Sequence, residues 1–587
     1  MAKNKIPVIG GIIALALAGS IIGLGMVKPY STDPLPPRAT QEADSNAALR
    51  GQKQQPSGAV PQTAAAGLPA AAKDLPPDVL DLLAKQPADV QKKLLEDPLF
   101  HDYMQDKRPA ARAKFFGGWL DGLQDNFCRE SLDAVARRAY DADGIKKLNL
   151  KAAQASCPRN VSLEKTLDYV NGKLADAFDD PYTAIMPPAL AAKTQSSLDG
   201  TAHIDGGVGL LFTVSHSRTL PAAPKSNPGL GAEQQQPGEP HFEFTGLIYH
   251  VASNSPAAAA GLQDGDILLK AVNENLIGQD FDHVINDVLI GKAGSTVKLT
   301  VKRGEQEFER TVTRGKVTPD SVWTRNLGDG YYSIIVSKWS ENVSGQILGT
   351  MLNLQAQGAK GFVLDLRFDG GGLFEEAILA VSYAVEDGVL VTTRERVQDN
   401  GDPEQPHYQT VTWERRHGQL IRTTKDEATG KVEEQRLQVA ISATNKQTGE
   451  VQNTKGDVPL VKNLPPMVVL GNGGTASASE IAYGGLTKNK VLDRKNKKYQ
   501  GATSGGEPTF GKGIEQENGP GAMKTRLSAT MGRYFLKDGT WPGDAHKNRH
   551  PLQPELLVEQ PQDAMLYTES DKQMNTAKDF LVHSQPE

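Results

Sequence analysis

Residues 361–367, Gly-Phe-Val-Leu-Asp-Leu-Arg, are the second strand of a segment that alternates between strand and helix over 331–384. The first strand is Tyr-Ser-Ile-Ile-Val-Ser at 332–337, and a helical segment follows it at 344–357. A second helix begins at Glu375. Alternation of this kind predicts an α/β layer in which helices cross over between strands.

The α/β pattern resumes at residues 466–471, Pro-Met-Val-Val-Leu-Gly, after a polar and strongly charged excursion. A Gly-rich turn and a run of small residues, Asn-Gly-Gly-Thr-Ala-Ser-Ala-Ser-Glu, follow at 472–480 and lead into another helix. The excursion at 393–463 alternates only loosely between apolar and polar residues. We interpret it as an added β-hairpin region or a flexible insertion inside the α/β unit.

The composition excludes several classes of protein. With 587 residues the chain is long enough for about four domains. Lys and Arg number 64 and Asp and Glu number 70, so the formal net charge is −6, whereas a nucleic-acid-binding protein needs a basic stripe. Cys128 and Cys157 are the two cysteines, which excludes a disulfide-dense scaffold and a four-cysteine zinc site. They either form one disulfide, if the chain is exported, or are two buried small side chains.

The first thirty residues indicate the compartment. Lys3 and Lys5 precede an apolar run at 6–27, which is long enough to cross a bilayer. Ala-Leu-Ala at 16–18 resembles a signal cleavage site, so a removed signal peptide is the alternative. Because hydrophobicity continues to Met26, we expect an uncleaved anchor in the inner membrane with both lysines on the cytoplasmic side. The rest of the chain then lies in the periplasm.

Two segments of different character follow this apolar run. Residues 31–75 are rich in Pro, Ala, Gln, Ser and Gly, and this composition predicts a disordered tether. From there to about Ile185 apolar residues such as Val79, Leu83 and Val90 recur at helical spacing. The pattern predicts a helical region whose role is packing rather than chemistry.

The segment Gly-Gly-Val-Gly-Leu-Leu-Phe at 206–212 is a Gly-rich turn that runs into an apolar strand. Glycines there let backbone N–H groups converge on a carboxylate. Residues 255–273 add an Ala-rich helix, an Asp-Gly-Asp turn and a strand, and in this order the pieces resemble a PDZ domain. The resemblance implies that a peptide C terminus joins the sheet as an added strand and that the N–H groups of Val208, Gly209 and Leu210 bind its carboxylate. The alternative is a PDZ fold kept as a scaffold with a blocked groove.

The usual signatures of hydrolytic enzymes are missing. The sequence has no Gly-x-Ser-x-Gly elbow and no His-Glu-x-x-His, which argues against Ser-His-Asp and metal-dependent hydrolases. Gly511-Lys512 is followed by glycine, so there is no Walker A motif. What remains is a serine within residues 475–480, at a strand-to-helix junction where the helix N-terminus favours a developing oxyanion. Lys512, close to Phe510, could be its base if burial favours the neutral amine. Taken alone, however, these two pieces fit an ordinary helix entry and an ordinary loop lysine better.

The order of the motifs favours the catalytic interpretation. Asp-Pro-Tyr-Thr at 180–183, the PDZ-like segment, Leu-Asp-Leu-Arg-x-x-Gly-Gly-Gly-Leu at 364–373, Thr-Ala-Ser-Ala-Ser-Glu at 475–480 and Glu-Pro-Thr-Phe-Gly-Lys-Gly at 507–513 resemble the carboxyl-terminal processing (tail-specific) protease family. The match covers about 80–560. It implies a serine endopeptidase with a crotonase/Clp-like ββα core and no metal or nucleotide cofactor.

The family pattern assigns roles to individual residues. The nucleophile falls on Ser477, with Ser479 as the competing candidate, and the general base falls on Lys512. Gln516, one helical turn further on, matches the glutamine that orients the lysine in many members. Some relatives instead use an Asp about eleven residues after the serine, but Lys488 occupies that position in this sequence.

The resemblance also implies an oxyanion hole and a set of partners. The oxyanion hole would combine the N–H of Ala478 with one from the glycine loop, where Gly371 and Gly372 are the candidates. The expected partners are protein or peptide substrates with apolar C termini, an adaptor protein, further copies of the chain in a homo-oligomer, and the inner membrane. No nucleic acid and no metal ion is expected.

Two features depart from the family pattern. The spacing from Ser477 to Lys512 is about ten residues longer than usual, which an exposed loop absorbs at little cost. The insertion at 393–463 is also longer than expected. A catalytically silent relative that acts as a PDZ scaffold is the alternative function, and the presence of Ser477, Lys512 and Gln516 together favours the protease.

The sequence therefore predicts a multidomain protein of the α+β and α/β classes. Its expected segments are a membrane anchor (1–30), a disordered linker (31–75), a helical N-terminal region (76–200), a PDZ domain (201–317), a protease core (318–392 and 464–562), an insertion in the core (393–463) and a C-terminal tail (563–587).

Overall fold

The computed structural model describes residues 72, 75–86, 88–96, 100, 104, 109–159, 161–216, 242–397, 402–444, 451–489, 491–493, 498–500, 502–561 and 564–583. The predicted anchor at 1–30 and the linker up to residue 71 lie outside this set. Within the described ranges no helix combines the length and the apolar character needed to span a bilayer.

The first described part of the chain is helical, as its apolar periodicity predicted. It consists of α1 (Pro77–Ala84), α2 (Ala88–Glu96), α3 (Pro109–Arg138), α4 (Ala142–Leu148), α5 (Leu150–Ala155), α6 (Leu163–Ala177), the short strand β1 (Ala184–Met186) and α7 (Pro188–Leu198). The side chains of Asp141 and Ser162 accept hydrogen bonds from the first turns of α4 and α6, which fixes where these helices begin. Leu167, Val170 and Leu174 are buried on one face of α6 and pack into the core of this region.

Cys128 in α3 and Cys157 after α5 are joined by a disulfide. Of the two alternatives that the sequence leaves open, the structure therefore has the disulfide and not two buried thiols. The bond links α3 to the short helices that follow it.

We expect the double variant Cys128→Ala/Cys157→Ala to lower the stability of the helical region by about 3 kcal/mol, because the lost bond closes a long loop and restricts the unfolded chain. The two cysteines are separated by 29 residues in the sequence. Hydrogen exchange of the α3 and α6 amides measures the effect, with the amides of the central sheet as the internal control. Equal protection of α3 and α6 in both proteins would contradict the prediction.

The second part of the chain is a small β-rich unit. Its elements are β2 (Ile204–Gly207), β3 (Leu210–His216), β4 (Phe242–Val251), α8 (Pro256–Ala259), β5 (Ile267–Ala271), β6 (Glu274–Asn275), α9 (Phe281–His283) with a π-helical continuation (Val284–Leu289), β7 (Thr296–Arg303), β8 (Gln306–Thr313) and β9 (Gly315–Val317). The strand order is β3-β4-β5-β7-β8, with β6 on β5, while β2 pairs with β9. Since β3 ends this order, its second edge has no partner among the described strands.

The remaining described chain forms the core with its two larger sheets. Its elements are β10 (Val322–Gly328), β11 (Tyr331–Val336), α10 (Val343–Ala356), β12 (Gly361–Asp365), α11 (Phe374–Ser382), β13 (Gly388–Arg396), β14 (Tyr408–Arg416), β15 (Gln419–Asp426), β16 (Val432–Arg436), β17 (Gln438–Thr444), β18 (Val451–Asp457), β19 (Met467–Gly471), α12 (Ala478–Lys488), β20 (Val491–Asp493), β21 (Lys498–Gln500), β22 (Ala502–Gly506), β23 (Ile514–Pro520), a 3₁₀ turn (Ala522–Lys524), β24 (Arg526–Leu536), β25 (Leu556–Leu557) and α13 (Lys572–His583).

The central sheet has the order β10-β11-β12-β19-β22-β25, and β11 to β25 run parallel. Parallel strands need crossover connections and are covered on both faces. Accordingly Phe362, Leu364 and Val469 pack towards α10, α11 and α12, while Val363 and Val468 pack on the opposite side. The α/β layer and the multidomain fold predicted from the sequence are confirmed.

A second sheet carries the excursion at 393–463. Its order is β1-β24-β13-β14-β15-β16, and β23 also pairs with β24. The excursion thus supplies β-hairpins that extend this sheet, with β17 and β18 as a separate pair. Through β1, the helical region adds a strand to the same sheet, and the amide of Tyr140 donates to the carbonyl of Thr530.

The C-terminal segment at 563–587, expected from its composition to be a polar tail that is helical or frayed, contains a helix that packs on the core. Its helix α13 packs against β12, β19 and β22, and Met574, Ala577 and Leu581 are buried there. These residues follow one another at helical spacing and form a narrow apolar stripe. Asp571 also pairs with the buried Arg367, at 2.9 Å. The segment is therefore an integral layer of the core.

The β-rich unit rests on the start of the core through β4. The ring of His250 stacks on Trp323 of β10 with 4.4 Å between ring centroids, and its Nε2 lies 2.8 Å from a carboxylate oxygen of Asp320. Arg325 donates to the carbonyl of Tyr249 at 2.9 Å. These contacts join the two units next to the first strands of the central sheet.

Candidate active site

The predicted catalytic residues follow neighbouring parallel strands. Trp339 comes after β11, the glycine loop around Gly371 after β12, Ser477 after β19 and Lys512 after β22. The carboxyl ends of parallel strands meet at one edge of a sheet, and open α/β sheets place their binding crevices there. The strand order therefore brings together residues that the sequence separates.

Ser477 is the residue immediately before α12, at the strand-to-helix junction predicted from the sequence. Its backbone has φ 58° and ψ −118°, a region that non-glycine residues rarely adopt. Its side chain is 2% exposed. Such strain at the entry of a helix is typical of functional residues, and it places Ser477 directly before Ala478, the first residue of α12.

Lys512 is a buried amine, as the chemistry of a general base requires. Its side chain is 1% exposed, and burial lowers its pKa from 10.5 to about 7, against the opposing charges of Asp180 and Glu480. The Nζ atom donates to Oε1 of Gln516 at 2.7 Å and lies 4.0 Å from the centre of the Tyr182 ring. Near neutral pH a large fraction of this amine is therefore unprotonated.

Gln516 contacts the lysine as predicted, but it does so from a strand. The expectation that it lies one helical turn after Lys512 is wrong, because residues 514–520 form β23. Its Nε2 group donates to the carbonyl of Tyr182 at 3.2 Å and to the hydroxyl of Ser528 at 3.3 Å, which directs Oε1 towards Lys512. By accepting one N–H, the amide orients the lone pair of the neutral amine.

We expect Gln516→Glu to shift the acidic limb of the pH–rate profile upward by at least about one unit, because a carboxylate 3 Å away stabilises the ammonium form of Lys512. Activity at pH 7 falls accordingly, while activity above the shifted limb recovers. Initial rates from pH 5 to pH 10 measure the shift, with Gln516→Ala as the matched variant that removes the amide without adding charge. An unshifted limb in Gln516→Glu would contradict the assignment of the limb to Lys512.

Glu480 connects the two predicted catalytic residues, and the sequence reasoning did not single it out. Its carboxylate accepts hydrogen bonds from the backbone N–H of Ser477 at 3.0 Å and of Lys512 at 2.7 Å. It also accepts from the N–H of Gly511 at 2.8 Å and the hydroxyl of Thr509 at 2.5 Å. Burial raises the pKa of Glu480, and these donors oppose the rise. The Glu480 side chain thus joins the loop that carries Lys512 to the turn that carries Ser477.

Tyr534 and Tyr182 are two further residues that the sequence reasoning did not assign. The Tyr534 hydroxyl lies 3.1 Å from the carbonyl oxygen of Ser477 and 2.8 Å from that of Lys512. Tyr182 belongs to the Asp-Pro-Tyr-Thr motif of the helical region, and its ring lies over the Lys512 amine. The helical region therefore contributes to the site, in contrast to the packing role predicted for it.

The glycine loop lies directly against Ser477. A side chain at Gly371, which has φ 102°, would meet Cβ of Ser477 at 3.0 Å and the N atom of Ala478 at 3.0 Å. Trp339 holds the loop, since its N–H donates to the carbonyl of Gly371 and its carbonyl accepts from the N–H of Leu373. Only glycine permits this close approach.

The structure distinguishes between Gly371 and Gly372, the two glycines proposed for the oxyanion hole. The Gly371 N–H donates to Oδ1 of Asp369 at 2.9 Å, so this donor is already occupied. Asp369 is fully buried, and burial raises its pKa to about 7. We infer that Gly372 and Ala478 are the better pair of donors.

Ser479 and Lys488 occupy positions away from the proposed chemistry. The Ser479 hydroxyl accepts a hydrogen bond from Nε1 of Trp339 at 2.9 Å, and the side chain is buried within α12. Lys488, at the end of α12, forms an ion pair with Asp538 at 2.8 Å. Neither contact involves Lys512 or Gln516.

The residues proposed to bind a peptide carboxylate lie in the β-rich unit. Val208 and Leu210 are buried, and Gly209 has φ 86° between them. The carbonyl of Val208 accepts from the N–H of Ala257, which anchors the turn to α8. The turn leads directly into β3, the edge strand, so it stands at the end of an edge to which a peptide strand can add.

Comparison with known proteins identifies both parts of the chain. Residues 331–551 match the family model described as Peptidase family S41, and residues 222–313 match that of the PDZ domain. A "Probable CtpA-like serine protease" from Staphylococcus haemolyticus is 27% identical over 336 residues, or 57% of this chain and 53% of that protein. The protein of the same name from Staphylococcus aureus strain N315 is 25% identical over 311 residues, or 53% of this chain and 49% of that protein.

Solved structures give related matches. The photosystem II D1 C-terminal processing protease aligns with 75% of this chain and 95% of its own, at 22% identity and a TM-score of 0.39. Mature CPAF in complex with lactacystin aligns with 79% of this chain and 100% of its own, at 11% identity and a TM-score of 0.33. The chain spans about half the length of the curated relatives it matches. The family and sequence matches confirm the resemblance predicted from the sequence.

Proposed function

Because the chain carries a peptidase family S41 domain together with a PDZ domain, we propose that it is a serine endopeptidase with a Ser477–Lys512–Gln516 site. The observation that carries this proposal is the buried Lys512 amine, held by Gln516 and linked through Glu480 to the turn that bears Ser477. A lysine in this environment is a base near neutral pH. A surface lysine would be protonated there.

The proposed reaction proceeds through an acyl-enzyme. Ser477 Oγ attacks the carbonyl carbon of the scissile amide while the neutral amine of Lys512 accepts its proton. The N–H groups of Ala478 and Gly372 stabilise the negative charge on the former carbonyl oxygen. Lys512 then donates the proton to the leaving nitrogen, and a water molecule, with Lys512 again as base, hydrolyses the ester. Gln516 keeps the amine in position during both steps.

The PDZ domain is proposed to select the substrate. The free edge of β3 adds the apolar C-terminal end of a substrate as a strand, and the turn at Val208, Gly209 and Leu210 receives its carboxylate. The domain then presents the chain to Ser477. An adaptor protein and a homo-oligomer belong to the same proposal, and light scattering of the purified chain tests the latter.

We also propose that the protein acts in the periplasm, tethered to the inner membrane by residues 1–30. Lys3 and Lys5 ahead of the apolar run support this orientation. The disulfide between Cys128 and Cys157 supports an oxidising compartment. Fractionation of bacteria that express the chain tests the location, which recovery of the protein in the cytosol would contradict.

Digestion of an unfolded protein with an apolar C terminus tests the activity. The purified chain should cut it with its activity unchanged by chelator, and Ser477→Ala should leave it intact. If wild type and variant leave the substrate equally intact, with or without candidate partners, the alternative of a silent PDZ scaffold is favoured. A Ser479→Ala variant that loses all activity while Ser477→Ala retains it would reverse the assignment of the nucleophile.

A further inference from the structure

Three acidic side chains and one arginine lie near one another on the face of the second sheet that carries Tyr534. Glu395 of β13 and Glu515 of β23 flank Gly532 of β24 in register, so they stand in one cross-strand row. Glu375, in the first turn of α11, lies over the same face, and the charges of Glu395 and Glu375 both raise the pKa of Glu515. Arg422 of β15 acts in the opposite direction. We call these residues the carboxylate cluster.

The carboxylate cluster contains an unsatisfied acceptor. Glu515 is 7% exposed, and its Oε2 atom is buried without a hydrogen-bond partner. By contrast, Glu395 accepts from the Thr393 hydroxyl and from Nε2 of Gln409. An unpaired buried carboxyl oxygen is costly, and most buried polar groups in native structures have a partner. Burial and the neighbouring carboxyl groups raise the pKa of Glu515 and also that of Glu375, to about 7, so a cation bound in the cluster would favour the ionised form of both groups.

The cluster adjoins the catalytic groups. Tyr534, two residues beyond Gly532 on the same strand face, reaches the carbonyls of Ser477 and Lys512 with its hydroxyl. Phe374 directly follows the glycine loop and packs edge-on against Tyr534. Phe374 and Tyr534 therefore connect the cluster with the backbone of the two proposed catalytic residues.

The open side of the cluster is half-buried rather than sealed. Glu375 and Arg422 are both partly exposed. Trp413, whose ring packs against Phe374, is also partly exposed, while its Nε1 atom is buried without a partner. Gly532 keeps the floor free of side-chain atoms, because a Cβ there would lie 3.1 Å from Oε2 of Glu515. The partly exposed side chains of Glu375, Arg422 and Trp413 thus lie between the buried Glu515 and solvent.

We propose that the carboxylate cluster is a substrate subsite that takes a cationic side chain, Lys or Arg, of the polypeptide being cut. A guanidinium or ammonium group supplies the donors that Oε2 of Glu515 lacks and favours the ionised form of the neighbouring carboxyl groups. Within the described ranges no set of acidic, His or Cys side chains has the spacing to hold a metal ion, which favours an organic cation. This inference rests on the proposed protease function.

Matched peptides test the subsite. Each pair carries either arginine or the uncharged isostere citrulline at one position, scanned from four residues before to four residues after the scissile bond. At one position we expect wild type to cut the arginine peptide with a kcat/KM at least about tenfold higher, and Glu515→Gln to reduce this ratio to within about twofold. Glu395→Gln should act in the same direction, and Arg422→Gln should increase the ratio.

The control is Glu376→Gln, which neighbours the cluster but whose carboxylate is occupied by the N–H groups of Asn342 and Ser344. It should keep the wild-type ratio. Peptides cut by wild type without any preference for arginine would overturn the subsite, as would a preference that survives both Glu515→Gln and Glu395→Gln. If wild type cuts none of the peptides or proteins offered, the proposed function itself fails, and the two failures are thereby distinguished.

Discussion

Replacing Lys512 by methionine should lower kcat/KM at least about 10³-fold, because it removes the base and leaves the oxyanion donors as the sole aid to attack. The fold should survive, since methionine is close in length to lysine and suits a site where burial already disfavours the ammonium. Gln516 loses one donor, which costs about 1 kcal/mol. Steady-state kinetics together with thermal unfolding separate the two effects.

The pH dependence of wild-type activity provides a second test of Lys512 as the base. Burial lowers the pKa of Lys512 to about 7, and the protonated amine cannot accept the serine proton. Activity should therefore fall about tenfold per unit as the pH drops below 7 and level off above it. Lys488→Met is the matched control, because Lys488 pairs with Asp538 on the surface. A Lys512→Met variant with more than a tenth of wild-type activity would rule out the lysine as base.

The chemistry of the site could be predicted from sequence where it depends on short motifs. Ser477 and Lys512 stand in local patterns, a small-residue helix entry and a glycine-flanked lysine after a strand. Their alignment depends on contacts that no local pattern contains. In the sequence, Glu480 is an ordinary acidic residue in the first turn of a helix, and its partner Lys512 lies beyond three intervening strands. Tyr182 belongs to another region of the chain altogether.

For the fold, too, local patterns predict single elements but not the contacts between distant ones. The strands β11, β12 and β19 of the central sheet are largely or fully buried and are rich in apolar residues, so the α/β layer could be predicted from them. For the insertion at 393–463 the sequence left a β-hairpin region and a flexible insertion open, because its alternation is weak; β16, for example, has no buried residue. Helix α13 carries a stripe of few apolar residues within a polar segment. A stripe that narrow becomes interpretable only once the sheet that it covers is known.

Glu480→Ala should have the largest combined effect of any single substitution in the site. It leaves the buried N–H groups of Ser477, Gly511 and Lys512 without an acceptor, at a cost of about 3 kcal/mol or more in stability. It also removes the hydrogen bonds that join the loop carrying Lys512 to the turn carrying Ser477. A displacement of about 1 Å between reacting groups can lower the rate about 10²-fold, so we expect a loss of at least that size in kcat. Thermal unfolding and single-turnover kinetics measure the two losses.

The isosteric Glu480→Gln shows why a carboxylate is required. Each oxygen of Glu480 accepts two hydrogen bonds, one pair from Ser477 and Lys512 and the other from Thr509 and Gly511. An amide in the same place must turn its NH₂ group towards at least one backbone N–H, which sets donor against donor. Glu480→Gln should therefore lose most of the activity despite its shape. Glu507→Gln is the control, because Glu507 is also buried but accepts from Gln560 and touches neither catalytic residue. Equal kcat losses in the two Gln variants would mean that buried charge in general, and not the bridge through Glu480, supports catalysis.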